Sequence, residues 1–244
     1  GSLASGGSMA INMWYERDID PLMERTLNRP IPSGFISPNH ALAFGVGICL
    51  TGITIVSLLT NINAGMITAF SAFFYVFVYT MFLKRKTPHN IVIGGLAGST
   101  PPAIGWVAVS NDFSAILPWL MVLVIFMWTP PHFWSLTLSK RKDYGEAGVP
   151  MLPVVKGEDV TRNHIFAYTL ILLLLSILIF ASGDVGIIFL AFGVILSGYF
   201  VFLSFTLRNT KSEKEAWKLF KFSNAYLYTL FTILVLDAAY QINF

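Results

Sequence analysis

Seven runs of about 20 predominantly apolar residues recur along this chain, each long enough to cross a ~30 Å hydrocarbon core as a helix. They lie near 40–60, 63–83, 91–110, 114–138, 163–182, 184–207 and 220–242. A soluble helical protein needs a polar stripe on each helix, and these runs have almost none. Hydrophobic residues make up 55% of the 244 and charged residues only 12%, too few to solvate seven such helices. The fold class is therefore all-α, a polytopic integral membrane helix bundle, expected as a single domain over 1–244. Residues 1–14 read as the end of a further helix, too short to span alone. The chain opens on Gly-Ser rather than Met, so it is expected to be N-terminally incomplete, with at least one helix before it. No secretory signal is visible.

Charge follows topology. Threading the runs in alternation puts 15–39, 84–90, 139–162 and 208–219 on one side. All 16 Lys and Arg residues fall in these segments or at the adjoining helix ends, Lys221 being the last. The opposite connections, around Asn61, Asn111-Asp112 and Gly183-Asp184, contain none. The positive-inside rule places the charged side in the cytoplasm or an equivalent compartment. The net charge of +3 is thus largely topological and argues against nucleic-acid binding.

Local punctuation agrees. Ser37-Pro38 and Thr87-Pro88 predict helix starts, and Ser212-x-x-Glu215 predicts a capping box. Cys49, the single cysteine, lies inside a run and reads as a small packing residue. Gly94-x-x-x-Gly98 predicts close helix packing. Asp237, in the last run, has no functional reading and is expected at the interface.

Two polar loops, 15–39 and 139–162, carry the chemistry. Asn12, Glu16 and Asp20 are four residues apart, so a helix continuing through Asp20 would stack their oxygens on one face and turn Asp18 away. Hard oxygen ligands suit Mg²⁺, which takes one or two carboxylates and completes its shell with water and substrate phosphate. Arg25 and Arg29 are also four apart, suited to phosphate oxygens if helical, and Lys84, Arg85 and Lys86 end a run on the same side. For Lys86 and Lys140, anchoring at lipid headgroups is an equal reading. Each polar loop precedes a closely coupled helix pair, so a duplicated four-helix unit would bring the two acidic loops across from each other. Secondary transporters also use repeats, but their ion sites call for acids deep within the spans, whereas Asn12, Glu16, Asp20 and Asp143 lie at span ends.

His132 sits in FMWTPPHFW, a run interrupted by Pro130-Pro131. With the helix resumed, His132, Ser139 and Asp143 fall near one face, His132 and Asp143 about 16 Å apart along the axis. The ring can ligate a metal or form a buried hydrogen bond, and the second is the commoner role of a lone buried histidine.

The stretch NMWYERDIDPLMERTLNRPIPSG resembles the first motif of the UbiA superfamily of intramembrane prenyltransferases. Within it, ERDID, NIVIGGLAGSTPPAIGW, WTPPHFWSL and KDYGEAGVPMLPVVKG are similar to the haem-farnesylating branch, the protoheme IX farnesyltransferases. The match runs from Asn12 to about Arg162; beyond it the likeness is mainly hydropathy. The resemblance implies a nine-helix fold with acidic loops after helices two and six, which fits seven runs if the first helix and part of the second precede this chain.

It also implies a reaction. Farnesyl diphosphate, held through Mg²⁺, loses pyrophosphate to give an allylic cation; a vinyl group of haem B attacks its C1, and water adds to leave haem O. By matching position, Asn12, Glu16 and Asp20 form the first metal motif and Asp143 the acid of the second. Arg25, Arg29, Lys84 and Arg85 match basic positions assigned to diphosphate, with Lys142 beside Asp143 serving phosphate or loop packing. His132 matches a histidine suited to contact haem. Glu16 departs from the aspartate usual in the wider superfamily, and Glu146 matches no required acid. Trp14, Tyr79, Trp128 and Trp134 are candidates to shelter the cation, against lipid-facing placement for any one of them. A UbiA-type enzyme acting on an aromatic quinone precursor is the nearer alternative, and a secondary transporter the alternative of another class. Expected partners are farnesyl diphosphate, haem B, the lipid bilayer and haem A synthase or terminal oxidase assembly factors. A prokaryotic plasma membrane or a mitochondrial inner membrane is the expected location.

Overall fold

The computed structural model describes residues 1–24, 26–139 and 150–240, and every regular element among them is helical. Seven helices are long and apolar enough to cross a membrane: Pro38–Leu59, Ile62–Leu83, Asn90–Ser110, Ile116–Ser139, Glu158–Ala181, Ile187–Thr210 and Glu213–Tyr240. Large apolar side chains such as Leu58, Leu59 and Val109 stand 77%, 79% and 92% exposed, surface that only a hydrocarbon surround makes tolerable. The chain is an integral membrane protein. It divides into two compact units, one carrying Gly1–Ser114 and the other the helices between Ala115 and Tyr240.

The first unit begins with α1 (Ser2–Tyr15), which packs along α2 (Pro38–Leu59). Small residues let the two backbones meet. A Cβ built on Gly7 would lie 2.5 Å from Cys49 N and Gly45 O, and one on Gly52 would lie 2.5 Å from Ala4 N. Cys49 is buried in this crossing beside Ser8, the packing role expected of it. Ser37 caps α2 by accepting from His40 N. Asn61 caps α3 (Ile62–Phe73) by accepting from Ala64 N at 2.9 Å, and its amide donates to the Val107 carbonyl at 2.7 Å. The same helix then widens into a π-helix over Phe74–Leu83, so Lys84 N bonds back five residues to Tyr79 O.

The run expected at 91–110 is two abutting helices, α4 (Asn90–Ser99) and α5 (Pro101–Ser110). Pro101 has no N–H, so the Ala97 carbonyl four residues earlier loses its helical donor. Ser71 Oγ and Thr100 Oγ1 supply hydrogen bonds to it instead, at 2.7 and 3.1 Å. This is how a break is tolerated where no water can reach. The start lies at Asn90 rather than at the expected Thr87-Pro88. Of the Gly94/Gly98 pair only Gly94 is a close-packing site: a Cβ there would sit 2.1 Å from the Tyr79 ring, whereas Gly98 faces open space.

The second unit contains α6 (Ile116–Ser139), the short α7 (Leu152–Val155), α8 (Glu158–Ala181), α9 (Ile187–Thr210) and α10 (Glu213–Tyr240). Its long helices close into a four-helix ring in which α6 packs on α8, α8 on α9, α9 on α10 and α10 on α6. Helix α6 runs unbroken through Pro130 and Pro131, where the sequence suggested an interruption. Buried hydroxyl pairs join the others: Thr169 to Ser204 at 2.8 Å, Ser176 to Ser197 at 2.9 Å, and Ser197 to Tyr226 at 3.0 Å. Helix α8 starts before the expected 163, because the acid-rich turn at Glu158-Asp159 favours a helix N-terminus, and α10 starts at Glu213, directly after Ser212, where the capping-box pattern places it. Glu215 turns toward Lys218 at 3.9 Å. Asp237 lies level with the Gly183–Gly186 connection, the helix end at which it was expected, and is buried there; its carboxylate accepts from Gly186 N and so caps α9.

Candidate active site

Asn12, Glu16 and Asp20 are 5%, 1% and 0% exposed, within and just beyond the end of α1, and Arg29 links Glu16 to Asp20. They do not share a helix through Asp20. The helix stops at Tyr15, because Pro21 would leave the Arg17 carbonyl without its donor, and the chain turns into a single 3₁₀ turn at Asp20–Leu22. Ile19 N and Asp20 N both bond to the Glu16 carbonyl, folding Asp20 back toward the helix end. Thr26 Oγ1 donates to the Asp20 carbonyl at 2.7 Å and fixes the turn that carries Arg29.

The carboxylates are matched by cations. Arg29 Nη1 lies 2.9 Å from both oxygens of Asp20 and 4.0 Å from Glu16 Oε2. Lys84, at the end of the π-helix, is ion-paired with Glu16. Two negative and two positive groups thus balance in a largely dry setting. Burial raises the Asp20 pKa above its ordinary value, and the hydrogen bonds and charge of Arg29 offset part of that rise. Asp18 points away, as the spacing predicts. It is 58% exposed and pairs with Arg85 through two 2.7 Å bonds, which hold its pKa below the usual carboxylate range.

Asn12 donates from Nδ2 to Thr80 Oγ1 at 3.1 Å, leaving its amide oxygen as the group that can face a cation. Both Glu16 oxygens are buried; Oε1 is ion-paired with the Lys84 ammonium and Oε2 has Arg29 Nη1 at 4.0 Å. Two buried carboxylates and an amide oxygen are hard donors of the kind Mg²⁺ takes. Among the described residues no three His, Cys, Asp or Glu side chains gather into a complete metal cage. Such a site therefore needs substrate oxygens to fill its shell. Thr80, which orients Asn12, was not foreseen; a threonine set in the apolar run FVYTMFL was the available signal. Arg25, Lys140, Lys142, Asp143 and Glu146 lie outside the described residues.

In the second unit His132 is buried beneath neighbours on its own helix and on α10. Its ring stacks on Trp128 with centroids 4.2 Å apart, and Phe220 lies at 4.8 Å. Nδ1 meets Ser223 Oγ at 2.7 Å. The other aromatics are committed to packing: Trp134 is buried edge-on to His164 and Tyr168, Tyr79 packs against Gly94, and Trp14 takes the Arg17 guanidinium at 5.0 Å.

The chain is 46% identical to the protoheme IX farnesyltransferase of Granulibacter bethesdensis over 97% of its own length and 77% of that protein's. It is 46% identical to the protoheme IX farnesyltransferase of Ruegeria pomeroyi, over 97% of its length and 76% of that protein's. Among solved structures it superposes on a digeranylgeranylglyceryl phosphate synthase with a TM-score of 0.80, at 21% identity, covering 97% of this chain and 82% of that one. A UbiA homologue from Archaeoglobus fulgidus, bound to DMAPP and Mg²⁺, superposes with a TM-score of 0.61 at 14% identity, covering 96% of this chain and 84% of that one. The UbiA prenyltransferase family model matches residues 1–230. All-helical in every described element, with seven described helices long and apolar enough to cross a membrane, and matched over nearly its whole length, the chain belongs to the UbiA prenyltransferase family.

Proposed function

We propose that this prenyltransferase moves the farnesyl group of farnesyl diphosphate onto a vinyl group of haem B, forming haem O. The observation that carries the proposal is the buried Asn12, Glu16 and Asp20, with Arg29 and Lys84 paired to the carboxylates, in a chain 46% identical to protoheme IX farnesyltransferases. That a UbiA homologue from Archaeoglobus fulgidus is bound to DMAPP and Mg²⁺ is in keeping with a metal–diphosphate role.

Asn12, Glu16 and Asp20 would hold Mg²⁺, with Asp143 contributing a second acidic group. The ion supplies charge neutralisation for the departing pyrophosphate. Arg29 and Lys84, now paired with Asp20 and Glu16, have their charges in place before substrate arrives. Such preorganised cations stabilise the charge that develops on a leaving group at little reorganisation cost. Arg25, Arg85 and Lys142 are assigned to the same diphosphate. Loss of pyrophosphate breaks the C1–O bond and leaves an allylic cation. The vinyl carbon of haem forms the new bond to C1, and water quenches the resulting cation as a hydroxyl. His132 contacts the haem. The polar loops face the cytoplasm of a bacterial plasma membrane.

The test is an acceptor panel. Membranes containing the protein are incubated with labelled farnesyl diphosphate, Mg²⁺ and either haem B or 4-hydroxybenzoate. Label in a haem fraction supports the reading; label only on 4-hydroxybenzoate overturns it.

A further inference from the structure

Trp128 and His132 lie one turn apart on α6, and both reach the same residue of α10. The Trp128 indole N–H donates to the Ser223 carbonyl at 2.8 Å, and His132 Nδ1 meets Ser223 Oγ at 2.7 Å. The hydroxyl has one proton to give, and it goes to the Phe220 carbonyl at 2.6 Å. Ser223 Oγ must therefore accept from His132, which puts the imidazole proton on Nδ1. The lone pair of the neutral ring then sits on Nε2.

The ring is also held in rotation. Trp128 stacks on it at an interplanar angle of 21°, Phe220 flanks it, and Phe133 meets it edge-on. Nε2 accepts no hydrogen bond among the described residues yet is absent from the fully buried polar atoms, so it keeps accessible surface. A histidine whose Nδ1–H is tied to a second group, with Nε2 left open, is the usual arrangement of a metal-ligating imidazole. Ser223 itself is 0% exposed and cannot reach a substrate.

We infer that Ser223 is a positioning residue that fixes His132 in the Nδ1–H tautomer, so that Nε2 presents a lone pair to the iron of the haem acceptor. This rests on the assignment of haem to His132 made above. Trp128 serves the same end by clamping both the ring and the Ser223 backbone. Losing such a supporting partner typically costs about 10–100-fold in metal affinity.

Two readouts separate the parts of this inference. In protein labelled with ¹⁵N-histidine and held in lipid without haem, His132 shows a protonated Nδ1 and an unprotonated Nε2. Ser223→Ala shifts that balance toward Nε2–H, and Ser223→Thr, which keeps the hydroxyl, restores it. In the loaded protein Ser223→Ala raises the haem KM at least about tenfold, leaves the farnesyl diphosphate KM unchanged and alters the ferric haem absorption spectrum. An Nε2–H tautomer in the unsubstituted protein, or a Ser223→Ala variant with unchanged tautomer, overturns the positioning role. If the tautomer shifts but neither Ser223→Ala nor His132→Ala changes haem affinity or spectrum, the haem assignment is overturned and the Ser223–His132 coupling stands alone.

Discussion

A single guanidinium nitrogen of Arg29 lies 2.9 Å from both carboxylate oxygens of Asp20, a residue with no exposed surface. Removing one partner of a buried pair leaves an uncompensated charge and costs more than the pair itself contributes. Arg29 is 27% exposed, so solvent softens the loss. Arg29→Ala should therefore destabilise the protein by about 2–4 kcal/mol, read as a lowered unfolding midpoint in detergent. Asp20→Asn, which removes the buried charge and keeps a hydrogen-bonding side chain, should cost less. An Arg29→Ala midpoint equal to that of the unsubstituted protein would show the pair to be idle.

Asp20 also sets a pH dependence. Burial holds its folded-state pKa above the ordinary 3.8, so the folded protein binds this proton more tightly than the unfolded chain does. That stability contribution is complete below 3.8 and is lost as pH rises through the folded-state value. Metal binding runs the other way, because only the ionised carboxylate is a ligand. Mg²⁺-dependent binding of farnesyl diphosphate should weaken on acidification at a pH above the usual aspartate range. Asp18 has the opposite sign: Arg85 depresses its pKa, so its stabilisation is present above 3.8 and fades as pH falls through the depressed value. An acid limb unchanged in Asp20→Asn would detach it from Asp20.

The crossing of α1 and α2 predicts a folding defect without a chemical one. A side chain at Gly7 has backbone on two sides at 2.5 Å. Gly7→Val should cost about 1–3 kcal/mol or more through overpacking. Gly98→Ala, facing open space, should be nearly neutral. Equal unfolding midpoints for the two variants would contradict the close approach.

Much of this was legible in the sequence. Seven apolar runs gave the seven spanning helices because lipid demands the same 20-residue length of each. The spacing argument for Asn12, Glu16 and Asp20 supposes a helix through Asp20, and it breaks at Pro21: the helix ends at Tyr15 and a turn carries Asp20. Asp18 was correctly set apart. The cation pairing was not legible, since it depends on a π-helix delivering Lys84 and on a turn held by Thr26 returning Arg29. Nor was Ser223, which meets His132 across 91 residues and looks in sequence like any small residue of an apolar helix. Asp237 had no functional reading because its partner is a backbone N–H, which no sequence pattern marks.

Separate roles for the two candidate groups predict separable kinetics. Asp20→Ala and Asp143→Ala should each abolish turnover and Mg²⁺-dependent diphosphate binding in protein that still inserts and unfolds cooperatively. His132→Ala should raise the haem KM while farnesyl diphosphate binding stays within about threefold, less than 1 kcal/mol. Equal losses for both substrates in His132→Ala would remove it from the haem-contact role.

The most direct measurement of the central claim is the mass of the product formed from haem B, farnesyl diphosphate and Mg²⁺ in H₂¹⁸O. Farnesyl transfer to a vinyl group followed by water addition predicts a haem that gains one farnesyl group and one ¹⁸O atom, with no such product when Mg²⁺ is chelated. Haem recovered at its starting mass while farnesyl diphosphate is consumed would contradict it.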